Sequence, residues 1–198
     1  SRHWAEKALD GGVDGFICVN DRAGGHAGNL SAQQLLDEIG PLGKPLVCAG
    51  GIGTAETFAE VMAMGYAGAQ LGTRFIATSE CHAHEDYKRA IVRAGENDIV
   101  LSEKITGVPV SVINTPYVES MGTQAGAFAK WMLRGRKRKH WMRTLYSLQS
   151  IWKLKRASLQ GMTYRDIFQA GKSVEGIHAI KPAAEVVAEF AAAWKKQS

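Results

Sequence analysis

No stretch of the 198 residues comes near the ~20 consecutive apolar residues that a membrane-spanning helix needs. The opening residues, with Arg2, Glu6, Lys7 and Asp10, lack the apolar core of a secretory signal. The expectation is a cytoplasmic chain with no membrane partner. Cysteine is scarce. Cys18, Cys48 and Cys81 are odd in number and form no CxxC, and two of them sit inside apolar runs, which argues against a disulfide framework and for a reducing compartment. Neither sign of charge dominates: 24 Lys and Arg face 19 Asp and Glu for a net charge of +5, a mild excess that suits acidic or phosphorylated partners without demanding nucleic acid. Two common phosphate signatures are also missing. GxGxxG fails where Glu56 stands in place of the last glycine, and the "GKS" at 171–173 lacks the earlier glycine of a P-loop because Asp166 holds that slot.

What is present reads as a globular α/β chain, 45% hydrophobic and 22% charged, with material for a real core in one domain or one and a part. Residues 3–10 resemble the end of a helix stopped by Gly11-Gly12, and "GFICVN" follows as a buried strand. Ser31 and Gln34 have the spacing of a capping box, which opens a helix carrying Leu35, Leu36 and Ile39 and ending at Gly40. "PLVCAGG" is a second buried strand, and Thr54 caps a helix that presents Ala55, Phe58, Ala59 and Met62 before Gly65. "AGAQLGTRF" is a third strand. Three strand-loop-helix units in succession predict a parallel sheet with covering helices. The second half breaks this rhythm. Residues 83–94 read as helical, "VPVSVI" alternates like an exposed or edge strand, and residues 126–160 are basic and dotted with aromatics. A last helix begins at Pro182 with Val186, Val187, Phe190 and Trp194 at helical spacing, and Met62, Met64 and Met132 read as core.

In a parallel sheet every strand-to-helix loop opens at the same end, so the turns carrying His26, Gly50-Gly51 and Gly72-Thr73 must converge there. Consecutive glycines at helix starts let backbone N–H groups approach an anion, and a phosphate suits them. His26 stands inside "AGGHAG". A loop histidine bonded to backbone and a working imidazole are both open readings; its place between glycines on the ligand side of the sheet favours the second.

These residues carry a resemblance. "AGGHAG" after a strand, then "PLVCAGGIG", then "GAQLGTRFIAT", is similar to the nitronate monooxygenase family, the 2-nitropropane dioxygenases. The likeness covers residues 3–95 and continues through "YRDIFQAGKSVEGIHAI". It implies an FMN-dependent (β/α)8 TIM barrel of which residues 1–95 hold about the last three strand-helix units. Residues 96–198 would be a mostly helical extension with a basic segment, returning to the barrel. The resemblance makes His26 the catalytic base, lays Ala23, Gly24 and Gly25 along the flavin, and gives Ala49, Gly50, Gly51, Gly72 and Thr73 the FMN phosphate. Asn20 would end its strand beside the ribityl chain or ring, where the family more often has an acidic residue. The implied reaction is oxidation of alkyl nitronates or nitroalkanes by O2 to carbonyl compounds and nitrite. The rest of the barrel is required to close the fold, and a homo-oligomer is left open.

Two other readings stand beside it. A flavin-dependent enoyl-(acyl carrier protein) reductase shares the barrel and a "GGH" turn, and the basic residues from Arg134 to Arg156 would suit an acidic carrier. A degenerate half-barrel that only binds a phosphate ligand is the other. "CHAHED", with Cys81, His82, His84 and Glu85, matches no closed tetrahedral spacing, so the expectation is capping and no metal. "RGRKRKHWMR" near Trp131, Trp141 and Trp152 reads as a solvated basic helix rather than a nucleic-acid surface. Lys172 and Ser173, in a glycine-bounded turn, are not counted among the site residues.

Overall fold

The computed structural model describes residues 1–105, 108–124 and 167–196. The strands β1 (Phe16–Val19), β2 (Leu46–Ala49) and β3 (Gly68–Gln70) form a parallel sheet in the order β1-β2-β3. Cys18 lies opposite Cys48, and Ala49 opposite both Val19 and Gln70. Helix α1 (Arg2–Asp10) precedes the sheet, while α2 (Ala32–Ile39) and α3 (Ala55–Ala63) make the crossovers. Both crossover helices open on reciprocal caps. Gln34 N donates to Ser31 Oγ at 3.2 Å while Ser31 N donates to Gln34 Oε1 at 2.9 Å, and Thr54 and Thr57 repeat the exchange. The α/β organisation follows: apolar strands too short to bury themselves alternate with helices whose starts are locally specified.

Because strand side chains alternate, the two sheet faces differ. Cys18, Leu46 and Cys48 pack with Leu35, Ile39, Val61 and Tyr66 under the helices, while Ile17 and Val19 on the other face are 61% and 41% exposed. Helix α7 (Ala183–Lys195, the last in chain order) closes the core against α3, with Phe190 stacked on Phe58 at a centroid distance of 5.4 Å. Its buried stripe is narrower than the sequence suggests: Val186 and Phe190 are buried, but Val187 and Trp194 face solvent. Met64, expected in the core, is exposed too, because α3 has ended and the chain is turning at Gly65.

Short helix α4 (Thr73–Ile76) leads from β3 to α5 (Glu85–Arg93), then to the antiparallel pair β4 (Ile99–Ser102) and β5 (Val110–Ile113) and to α6 (Pro116–Met121). The expectation of an exposed or edge strand at "VPVSVI" is corrected here. All four residues of β5 are buried, because the side not paired with β4 is taken by Gly25, bridged to Ser111, and by Gln169, bridged to Val112. A second core, with Ile91, Ile113, Phe168, Ala170, Val174 and Ile177, lies under this region. The basic stretch at 126–160, with its three tryptophans and Met132, lies outside the described residues.

Candidate functional site

The turns that follow β1, β2 and β3 gather around one cavity of about 330 Å³. Its lining includes Ala23, Gly24, Gly25 and His26 from the first turn, Ala49, Gly50 and Gly51 from the second, and Gly72 and Thr73 from the third. Asn20 is the one expected site residue that does not line it. Asn20 is 2% exposed, its Nδ2 donates to the Gly50 carbonyl at 2.9 Å, and its Oδ1 accepts from Arg22 N at 2.9 Å. With both ends of its amide engaged by backbone, Asn20 ties the first turn to the second.

That tie explains why glycine stands at position 50. Its φ is +116°, and a Cβ there would fall 2.2 Å from Asn20 Oδ1 and 2.7 Å from Ala23 N. Gly72 is different, since a Cβ on it would meet nothing within 4 Å. The second turn is bare because the protein fills the space, and the third is bare where space is open to a ligand.

His26 is exposed at the rim, and its ring makes no hydrogen bond to another described residue. The turn beneath it is held firmly. Gly25 N donates to the Ser111 carbonyl at 3.2 Å and Ser111 N returns the bond to Gly25 at 2.7 Å, so β5 clamps the backbone one residue before the imidazole.

The segment at 168–173 supplies a wall that sequence reasoning placed only in part. Tyr87 and Gln169 line the cavity; Tyr87 stacks on Phe168 at 4.8 Å and 14°, and its hydroxyl donates to the Gln169 carbonyl. Burial, helped by the nearby Cys81, pushes the Tyr87 hydroxyl up to about 12, so it remains a donor in neutral solution. Gly171 N donates to Thr73 Oγ1 at 3.2 Å, and Lys172 N donates to the Arg22 carbonyl at 2.9 Å. Glu96 completes the lacing: Arg22 grips it through two nitrogens at 3.1 and 2.7 Å, and Lys172 Nζ reaches it at 3.0 Å. Hydrogen bonds from Arg22, then from Lys172, hold the Glu96 carboxyl below the usual carboxylate range. Ser173, which the sequence reading set aside, lines the cavity as well. The glycine-bounded "QAGKSVEG" turn was a readable signal for Ser173; nothing distinguished Tyr87 from any half-buried helix residue.

In "CHAHED", His84 caps α5, its Nδ1 accepting from Asp86 N at 3.2 Å. Among the described residues no group of three or more His, Cys, Asp or Glu is placed to hold a metal, and no helix is long and apolar enough to cross a membrane.

A parallel α/β sheet whose strand-end turns leave bare peptide groups around a cleft, with an imidazole at the rim, defines a protein built to receive a ligand at the carboxyl ends of its strands. The chain belongs to the nitronate monooxygenase family, whose model matches residues 2–192. It is 34% identical over 122 residues to a probable nitronate monooxygenase of Staphylococcus saprophyticus, covering 56% of this chain and 34% of that protein. It is 32% identical over 131 residues to a (3aS,4S,5R,7aS)-5-hydroxy-7a-methyl-1-oxo-octahydro-1H-indene-4-carboxyl-CoA dehydrogenase of Mycobacterium tuberculosis, covering 63% of this chain and 37% of that one. The chain therefore spans little more than a third of the length of these curated relatives. Among solved structures, FabK from Thermotoga maritima superposes with a TM-score of 0.76 at 26% identity, over 100% of this chain and 59% of that one. The nitroalkane oxidase from Streptomyces ansochromogenes superposes with 0.74 at 26%, over 100% and 57%.

Proposed function

We propose that this chain carries the phosphate-binding and proton-accepting part of an FMN-dependent oxidoreductase that converts alkyl nitronates, or nitroalkanes after proton loss, to carbonyl compounds and nitrite with O2. The observation that carries the reading is the gathering of the His26, Gly50-Gly51 and Gly72-Thr73 turns around one cleft. A cavity of about 330 Å³ is within the range of small-molecule sites. Open space at Gly72, against protein-filled space at Gly50, is what a group lying against the third turn would require.

Gly50, Gly51, Gly72 and Thr73 would hold the FMN phosphate with backbone N–H groups, and Ala23, Gly24 and Gly25 would lie along the ring. When bound, FMN supplies the redox chemistry between the nitronate and O2. The chain's own residues do the rest. His26 takes the proton alpha to the nitro group, as imidazole can near neutral pH. Its glycine neighbours let the turn seat closely on the rest of the chain, since a Cβ on Gly24 would fall 2.7 Å from Gly171 N and one on Gly28 2.2 Å from the Val19 carbonyl oxygen. The Gly25–Ser111 bonds fix the backbone that aims the imidazole, and Tyr87 and Gln169 wall the cleft, with Gln169 beside Gly25.

The three strand-helix units of residues 1–95 would be the last three of a (β/α)8 barrel, with residues 96–198 an extension folded back on it. The open Ile17 and Val19 face supports this, since apolar strand residues in a closed barrel are covered by the remaining strands.

The test uses the holoprotein with its flavin absorbance as a loading check. His26→Ala is expected to keep FMN and lose about 10²–10⁴-fold in rate on neutral nitroalkanes while changing little on preformed nitronates, read as nitrite release and O2 uptake. Unchanged turnover of neutral nitroalkanes would remove His26 as the base. One second reading has an observation behind it: the likeness to FabK is as extensive as that to nitroalkane oxidase. A flavin-dependent enoyl-(acyl carrier protein) reductase would oxidise NAD(P)H on addition of an enoyl thioester and release no nitrite.

A further inference from the structure

A second cavity, of about 810 Å³, lies between α3 and α7. Gly53 and Gly176 are on its wall, while Ser173 of the same 172–176 turn lines the glycine cleft. Gly53 packs so closely on Ser173 that an added Cβ would fall 2.2 Å from the Ser173 carbonyl oxygen. The two cavities are thus back to back, sharing one thin partition.

Arg74 lines this second cavity and is only 4% exposed. Its Nη2 donates to the carbonyls of Ala77 and Ala179, each at 3.2 Å. Its Nε–H has no acceptor among the described residues and is itself shut off from solvent, so a ligand in the cavity would meet the guanidinium through its outer nitrogens. A buried cation with an unspent donor is costly, because the group has lost water without full replacement. The carboxylates on the lining do not supply the missing partner. Glu189 is taken by Lys181, which Glu185 also holds at 3.1 Å. Glu56 is bonded by its own backbone N–H and by Thr54, and Glu60 is exposed. Two further basic side chains, His178 and Lys196, stand exposed on the lining with no ion pair among the described residues.

We infer that this cavity is a binding site for a small oxyanion, a carboxylate or a phosphate group, which meets the Arg74 guanidinium inside while His178 and Lys196 face it at the mouth. The exposed Glu56 and Glu60 at the rim admit a ligand that also carries an amino or hydroxyl group. The site is separate from the glycine cleft and does not rest on the reading given to that cleft.

The experiment titrates inorganic phosphate, and in a parallel arm acetate, into the protein as purified and follows backbone amide signals by NMR. Saturable shifts of Gly53, Thr54, Arg74 and Gly176 are expected, and the arm that saturates at lower concentration identifies phosphate or carboxylate as the preferred group. Ala192→Glu, at an exposed lining position on α7, sets a carboxylate at the mouth without touching the core and should weaken binding about tenfold or more. Arg74→Lys should weaken it at least as much, and the Ala192 variant carries the test if that replacement does not fold. No saturable response to either anion, shifts confined to Gly50, Gly51 and Gly72, or equal affinity in the parent protein and Ala192→Glu would each overturn the inference.

Discussion

Gly50 and Gly72 are chemically identical residues with opposite reasons for being glycine. At Gly50 a methyl group would drive into Asn20 Oδ1 and the Ala23 backbone from a left-handed conformation. Gly50→Ala is therefore expected to destabilise the fold by about 2–4 kcal/mol, a steric and conformational loss visible as a lower urea midpoint with or without flavin. At Gly72 the same methyl meets nothing within 4 Å, and no left-handed conformation is involved. Gly72→Ala should leave the apoprotein's unfolding midpoint unchanged and weaken FMN binding about tenfold or more, if a phosphate lies against that turn. Flavin titration of a Gly72→Ala protein that binds FMN as tightly as the parent would remove the third turn from the cofactor site. Asn20 belongs to the same residue-level account. Its amide is bonded on both sides by backbone, so a residue at the end of a strand braces the first turn against the second.

At the level of elements, β1 and β2 put two thiols side by side in register under the helices. Burial pushes Cys48 up to about 11 from an ordinary 9.0, with the Asn20 bond opposing and Cys18 adding to the rise; burial raises Cys18 also. The neutral thiol is the form the fold prefers. Below pH 9 both folded and unfolded chains carry it neutral, and the stabilisation is fully present. Between pH 9 and 11 the unfolded chain ionises while the folded one resists, so stability falls as pH rises, by up to about 2–3 kcal/mol for Cys48. Urea midpoints measured at pH 7.5, 9 and 10.5 should drop more steeply in the parent than in Cys48→Ala. Parallel slopes would show that the thiol does not titrate as its burial requires. The helices that flank these strands were legible beforehand, because Ser31–Gln34 and Thr54–Thr57 exchange hydrogen bonds within four residues.

For the molecule as a whole, the uneven sheet is the main physical fact. One face is sealed by α2, α3 and α7; the other leaves Ile17 and Val19 in water, with Leu101 and Trp4 exposed elsewhere. Open apolar surface on a short strand recruits partners or dyes. The chain on its own should enhance ANS fluorescence, and Ile17→Ser should cut that enhancement substantially; equal fluorescence from both would mean that this face is covered. The chain belongs to a family whose model matches residues 2–192, and it spans little more than a third of the length of its curated relatives.

The sequence alone determined what is local: the three apolar strands, the capped helices between them, and the glycine turns whose gathering follows from the parallel order. Each depends on contacts within a few residues or on a rule of sheet topology. Only the tertiary structure decided what spans the chain. Gly25 meets Ser111 and buries β5, Arg22 and Lys172 meet Glu96, and Tyr87 meets Phe168 and Gln169, across separations of 74 to 86 residues. No periodicity or spacing encodes which distant side chains will face each other. That is set by how the layers pack, and packing is a property of the whole core.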